Sequence, residues 1–345
     1  MIFSHKKVLV FGTGISGISA INLLQNTKAD IILYDSNKGI DKDTIIKKLP
    51  KDFNGQIIIG DFPKELSKSI DYVILSPGVP ADLDLINELR DRNIPIIGEV
   101  ELAFLFEKGK VVAITGTNGK TTTTTLVGKI LKSYYESVFV VGNIGIPYTQ
   151  LVLDTKDSSI TVAEVISFQL ETIKGFKPHI SAILNITPDH LDRHYTLENY
   201  FKIKSNIVRN QKENDICILN YDDKILKEFG EKLDCKVIYF SSTYNLKEGI
   251  YLENDNIIYS NGEKRYIICS INELHVFGKH NYENIMAAVA IGVSLDIPLR
   301  YITTVIKDFV GVEHRIEYVA KKEGVKYYND SKGTNPDASI KAIEA

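Results

Sequence analysis

Residues 113–125 read AITGTNGKTTTTT. An apolar run, 111–115, leads into Gly116-Thr117-Asn118-Gly119-Lys120-Thr121, and a helical pattern follows. Strand, glycine turn and helix in that order make a phosphate loop, where backbone N–H groups and the helix dipole hold a polyphosphate. Of the full pattern GxxxxGK[ST] only the first glycine is missing, because position 114 is Ile114. Lys120 is placed to neutralise β/γ oxygens, and the Thr121 hydroxyl to coordinate Mg²⁺. A chance Gly-Lys-Thr turn is the plain alternative.

About a hundred residues earlier stands a second glycine loop, VFGTGISG, Val10 to Gly17. Gly12, Gly14 and Gly17 form GxGxxG after an expected strand, and Asp35 ends the next strand, as in a dinucleotide fingerprint. Alone it would favour a nicotinamide-dependent oxidoreductase, or a tight structural turn. A dinucleotide, however, spans two mononucleotide-binding halves. Here about five strands precede a new series, which suits one nucleotide.

The 345 residues are long enough for two or three domains. With 44% hydrophobic and 25% charged residues, the chain is expected to be globular. A net charge of −3 gives no reason to expect nucleic acid. Cys217, Cys235 and Cys269 form no CxxC pair, which reads as reduced thiols in a cytoplasmic protein. No apolar run reaches the ~18 residues of a membrane span.

Apolar runs alternate with helical patterns, as in an α/β protein. Strands are expected at 6–11, 30–35, 56–60, 71–76 and 94–97, then at 111–115, 138–142, 161–165, 180–186, 216–220 and 236–240. A hairpin is expected at 249–259. The division is residues 1–97, 98–311 and 312–345, the last too short for a domain and read as the beginning of one.

Three residues stand out beyond the loops. Glu164 falls late in an expected strand, where a carboxylate is costly unless paired or metal-bound. In ILNITPDHLDRH, Thr187 and Pro188 suit a helix start, which brings His190 to the edge of the sheet. A structural histidine and a metal or substrate ligand both remain open there. Lys204 lies four residues after Tyr200 on the apolar stripe of the helix 197–208. Facing inward it needs a partner or a modification, unless its amine snorkels outward.

Together these stretches resemble the Mur ligases, ATP-dependent amide-forming enzymes. TGTNGKT is similar to the family's phosphate loop, EVISFQLE (Glu164–Glu171) to its ExSSFQLE segment, and LNITPDHLDRH to LNxxxDHxDRH/Y. GKHNYENIMAA (Gly278–Ala288) resembles its adenine-side motif, and HRIE followed by NDSKGTNP resembles HRxE…DSKATNP. The resemblance covers essentially the whole chain. It is closest to the D-glutamate-adding branch, on GxGxSG, the SPG of ILSPGVP, FQLE and NDSKGTN. The L-alanine-adding branch usually has histidine where Asn118 stands.

The resemblance implies a Rossmann-like N-terminal domain, a central P-loop ATPase-like α/β domain and the start of a third Rossmann-like α/β domain. It implies ATP, two Mg²⁺ ions and a carbamylated Lys204, with UDP-N-acetylmuramoyl-L-alanine and D-glutamate as substrates of a cytoplasmic monomer. Gly116, Thr117, Asn118, Gly119, Lys120, Thr121 and Thr122 would hold phosphates. Asn281 would lie at adenine, Asn284 and Arg315 at phosphates, and Asp330 at ribose. Thr121, Glu164, His190 and Lys204 would serve the metals. Gly14, Ile15, Ser16, Asp35, Ser36 and Gly78 would surround the uridine diphosphate, with Asn143, Gln169 and His190 at the muramoyl-alanine part. Ile166, Ile203 and Gly333 depart from the family's serine, small residue and alanine. The family's D-glutamate contacts lie mostly beyond position 345, so the chain as a whole protein is expected to bind nucleotides without ligating. An oxidoreductase and a non-catalytic nucleotide-binding module are the readings from other classes.

Overall fold

The computed structural model describes residues 2–344, and the chain forms two compact units. The first comprises residues 1–109, 141–157 and 165–176. Its sheet has five parallel strands, β1 (Lys7–Phe11), β2 (Asp30–Asp35), β3 (Gln56–Ile59), β4 (Tyr72–Leu75) and β5 (Ile96–Gly98), in the order β3-β2-β1-β4-β5. Val8, Leu9 and Val10 are fully buried although they point to alternate faces, as in a parallel sheet covered on both sides. Strand order reverses between β1 and β4, the crevice where open α/β sheets bind ligands.

Two later segments return to this unit, and two buried carboxylates hold them. Glu99 Oε1 accepts from the Thr149 backbone N–H at 2.6 Å, with the Thr149 hydroxyl 2.8 Å away. Burial raises the Glu99 pKa against the lowering effect of those bonds. Glu101 accepts from the N–H groups of Lys174, Gly175 and Phe176 at 2.9, 2.7 and 2.9 Å. A buried carboxylate with these bonds broken would be left unsatisfied, so the contacts are costly to lose.

The second unit comprises residues 110–140, 158–164 and 177–345. Its strands are β6 (Lys110–Thr115), β7 (Val138–Gly142), β8 (Ile160–Glu164), β9 (Ile180–Ile183), β10 (Ile216–Asn220), β11 (Lys236–Ser241), β12 (Glu248–Glu253), β13 (Asn256–Asn261) and β14 (Arg265–Ser270). They form one sheet in the order β14-β13-β12-β11-β10-β9-β6-β8-β7. β6 lies between β8 and β9, so the phosphate loop leaves the sheet with both neighbours' C-terminal ends beside it. The helices Lys120–Lys132, Lys279–Ser294 and Leu299–Lys307 join its core through Leu126, Ile130, Ile291 and Ile302.

The expected hairpin at 249–259 is present, turning at Asn254 and Asp255 with φ of 46° and 60°, and β14 extends it by a third strand. Residues 312–344 hold an antiparallel pair, β15 (Glu317–Lys322) and β16 (Val325–Asn329), then the helix Pro336–Glu344. The helix expected to start at Thr187-Pro188 does not form; a short one runs Leu191–His194 instead. The carbonyl of a helix N-cap accepts the first intrahelical bond, but that of Thr187 accepts from the Thr117 hydroxyl at 3.0 Å.

Candidate functional site

In the first unit a cavity of about 590 Å³ opens at the crevice between β1 and β4, within the size range of small-molecule sites. Gly14, Ile15, Ser16, Asp35, Ser36, Gly78, Asn143 and Gln169 all line it. His190, also expected at this substrate, belongs to the second unit and does not line this cavity. Gly12 (φ 111°) could not carry a Cβ, which would lie 2.6 Å from Ser76 Oγ, whereas a Cβ on Gly14 meets nothing within 4 Å. The close approach at Gly14 is therefore kept open on the cavity side.

Asp35 is tied to the loop more than sequence suggests. Its Oδ2 accepts from Thr13 N–H at 3.0 Å and from the Thr13 hydroxyl at 2.8 Å, and its Oδ1 from Asn37 N–H at 3.0 Å. Gln169 Oε1 accepts from Ile166 N–H at 3.0 Å, which fixes the orientation of its amide.

In the second unit the phosphate loop runs between glycines in conformations that side chains rarely adopt. Gly119 has φ of 84°, and a Cβ there would fall 2.1 Å from Asn284 Oδ1. Asn185, just after β9, clamps the loop: its Oδ1 accepts from Asn118 N–H at 2.8 Å and its Nδ2 donates to Asn118 O at 3.1 Å. Sequence reading gave this residue no role, although it stands in the stretch LNITPDHLDRH, whose similarity to the family motif was its signal. Lys120 folds onto the loop, donating to Gly116 O at 3.0 Å and Thr117 O at 2.7 Å. Among the described residues the Thr121 hydroxyl has no hydrogen-bond partner.

Lys204 is 1% exposed, so its amine does not snorkel. It donates to Gly116 O at 2.9 Å and Thr115 Oγ1 at 3.3 Å, and lies 4.8 Å from the centre of the Tyr200 ring. Glu164, 1% exposed, ends β8 in register with Ile114. Burial lowers the Lys120 pKa, and the Glu164 carboxylate works against it. For Lys204 burial dominates again, Lys120 adds to it, and its pKa falls well below the ordinary lysine value. The structure thus brings Lys120, Glu164 and Lys204 to one corner of the loop. His190 lies nearby but is half exposed, with Nε2 3.7 Å from Asp189 Oδ2.

Among the described residues no cluster of three histidine, cysteine or acidic side chains is able to hold a metal alone. Mg²⁺ is commonly held by one or two carboxylates together with substrate phosphates and water. Glu164 and the uncommitted Thr121 hydroxyl supply such oxygens beside the loop.

A cleft of about 60 Å³ adjoins the loop, lined by Asn118, Gly119, Thr122, Asn281, Asn284, Arg315 and Asp330 among others. It is small because the start of the helix Pro336–Glu344 sits on the loop. Asn118 Nδ2 donates to Asp337 Oδ2 at 2.7 Å, and Asn335 Nδ2 to Asn118 Oδ1 at 3.1 Å.

Residues 114–292 match the Mur ligase middle domain, and residues 6–98 the MurD-like N-terminal domain of Mur ligases. The UDP-N-acetylmuramoylalanine–D-glutamate ligase of Lachnoclostridium phytofermentans is 59% identical over 345 residues, covering all of this chain and 76% of that protein. The ligase of the same name from Clostridioides difficile is 46% identical over 346 residues, with the same coverage of 100% and 76%. Among solved structures, UDP-N-acetylmuramate–alanine ligase from Thermotoga maritima aligns with a TM-score of 0.58 at 22% identity, over 98% of this chain and 76% of that one. MurF ligase from the same organism, in complex with ADP, aligns at 0.59 and 19% identity, over 99% and 74%. At such identities these two structures bear on the fold alone.

Proposed function

We propose a reaction for this chain, which belongs to the Mur ligase family: ATP-dependent ligation of D-glutamate to UDP-N-acetylmuramoyl-L-alanine, in peptidoglycan precursor synthesis. The observation that carries it within the molecule is the corner where Lys120 meets the buried Glu164 and Lys204 at a phosphate loop, in a chain 59% identical to a ligase of that name.

In this reading the alanine carboxylate attacks the γ-phosphorus of ATP, the bond to the β-γ bridging oxygen breaks, and ADP leaves. The D-glutamate amine then attacks the acyl-phosphate carbon, phosphate departs, and the nitrogen gives up a proton. The protein's task is positioning and charge neutralisation. Lys120 turns from the loop carbonyls to the β/γ oxygens, and the N–H groups of Gly119, Lys120, Thr121 and Thr122 hold the rest, those of Thr117 and Asn118 being taken by Asn185. Asn281, Asn284, Arg315 and Asp330 take the nucleoside and phosphates.

Thr121 and Glu164 would hold Mg²⁺, with His190 and Lys204 serving a second ion; bound Mg²⁺ would offset charge on the phosphates. Lys204 would do so as a carbamate. Its depressed pKa favours the neutral amine, the form that adds to CO₂, and loss of a proton leaves an anionic oxygen donor. The first unit's cavity takes the uridine diphosphate through Gly14, Ile15, Ser16, Asp35, Ser36 and Gly78, and the sugar-alanine part through Asn143 and Gln169. We take the functional division as residues 1–97, 98–311 and 312–345.

The same reading makes the protein a cytoplasmic monomer. Three free, buried cysteines suit a reducing compartment, and among the described residues no helix is long and apolar enough to cross a membrane.

The test is phosphate release from ATP by the full-length protein, given UDP-N-acetylmuramoyl-L-alanine and each of several amino acids. Stimulation by D-glutamate is expected. Stimulation by L-alanine with UDP-N-acetylmuramate, and none by D-glutamate, would assign a different substrate pair.

A further inference from the structure

Glu283 has no role in the reaction set out above, yet it stands in the wall of the nucleotide cleft. It also lines a second cavity of about 240 Å³, together with Gly278, Lys279, His280, Lys341 and Glu344. His280, Glu283 and Lys341 are common to both, so the two spaces adjoin across these side chains. The first touches the phosphate loop at Asn118, Gly119 and Thr122; the second adjoins it on the side of Gly278 and Lys279.

The carboxylate is held by one oxygen. Ser242 Oγ lies 2.6 Å from Glu283 Oε1 and 2.9 Å from Asp222 Oδ2. Asp222 also accepts from the Ser241 hydroxyl at 2.6 Å and from Ser242 N–H at 2.8 Å; one Ser242 hydroxyl proton serves both carboxylates, and the contact to Glu283 is the shorter. Among the described residues Glu283 Oε2 has no hydrogen-bond partner. It is thus an oriented acceptor in a half-buried setting, where an unmet acceptor is costly and a matching donor valuable. Asn281 is more committed: its Nδ2 donates to Phe277 O at 2.8 Å, and its Oδ1 lies 3.5 Å from Asn284 Nδ2.

We propose that Glu283 is a base-reading residue, its Oε2 accepting from the exocyclic amine of adenine and so selecting ATP over purine nucleotides that carry a carbonyl at that position. An ionised carboxylate offers acceptors only, so a carbonyl oxygen in place of the amine meets it acceptor to acceptor. Sites built around such a bond reject the analogue lacking the donor, because their own polar group is then unpaired. The inference rests on the reading of this cleft as the ATP site.

The test compares Glu283→Gln with the parent full-length protein for binding of ATP, ITP and 2′-deoxy-ATP by calorimetry. Binding is read without ligation, so a failure of the D-glutamate assignment leaves this result interpretable. The glutamine amide keeps the acceptor for Ser242 and presents a donor toward the base. The expected result is a loss of ATP-over-ITP preference of about tenfold or more, with ATP weakened and ITP tightened. The ATP-over-2′-deoxy-ATP preference stays unchanged. An unaltered ATP-over-ITP ratio, or a change confined to the 2′-deoxy comparison, which would put the carboxylate at ribose, overturns the proposal. Uniform weakening of all three nucleotides also overturns it, since that is what a merely structural role produces.

Discussion

The loops after β1 and β6 are built alike and surrounded differently. Each follows a buried parallel strand, opens a helix and turns on glycines with positive φ, 111° at Gly12 and 150° and 84° at Gly116 and Gly119. The cavity at the first loop is lined by hydroxyls, amides, apolar groups and the Asp35 carboxylate, without a lysine or arginine. Around the second stand Lys120, Lys204, Glu164 and Arg315. Glycines decide whether phosphate can approach a backbone; the charges around them decide whether it stays inert or reacts. A cradle without cations is suited to anchoring a nucleotide tail, and one with Lys120 and Arg315 at hand to offsetting charge that moves in a transition state.

Removing the charge at the second loop is the strongest way to break that contrast. Lys120→Ala is expected to lower kcat by roughly a thousandfold, measured as phosphate release. Next comes Lys204→Ala, expected to cost about a hundredfold. Activity of the parent should rise with added bicarbonate after CO₂ has been stripped, and activity of the variant should not. Full activity in Lys204→Ala would remove the carbamate from the account.

At the first loop two glycines separate binding from folding. Gly14→Val fills open cavity space and should raise the KM for the UDP-sugar about tenfold, leaving Tm near that of the parent. Gly17→Ala puts a Cβ 1.9 Å from Gly12 O, and should destabilise the protein by about 1–3 kcal/mol in thermal or urea unfolding. The smallest effect concerns acid. Burial first, then Arg193, His190 and Lys204, lower the His194 pKa from 6.5 to about 4. Between these values the unfolded chain binds the proton that the folded one refuses, so stability falls as pH drops from 6.5 toward 4. In His194→Phe the pH dependence over that window should flatten, which urea midpoints at several pH values would detect.

Both loops were legible because glycine spacing and flanking apolar runs are local signals. Lys204 was legible from the four-residue spacing to Tyr200, although only its burial in the structure decided between facing inward and snorkelling. What sequence hid was set by distant partners. The Thr187-Pro188 helix start looked sound and failed because Thr117, seventy residues away, takes the Thr187 carbonyl. Segments 141–157 and 165–176 pack with the first unit through Glu99 and Glu101, whose partners lie fifty or more residues away. β14, an edge strand, was missed, and so was β15, whose glutamate and two lysines leave a weak apolar signal. Asn185 and Glu283 gain their meaning only from what folds against them.

The contrast between the loops comes down to a first that binds and a second that reacts. A crossed measurement tests it most directly: calorimetric binding of UDP-N-acetylmuramoyl-L-alanine and saturated phosphate release, in Lys120→Ala and Gly14→Val side by side. Lys120→Ala should bind the UDP-sugar with the parent's Kd and release almost no phosphate. Gly14→Val should bind it about tenfold more weakly yet approach the parent's kcat at saturation. Loss of UDP-sugar binding in Lys120→Ala, or a collapse of kcat with unchanged binding in Gly14→Val, would contradict it.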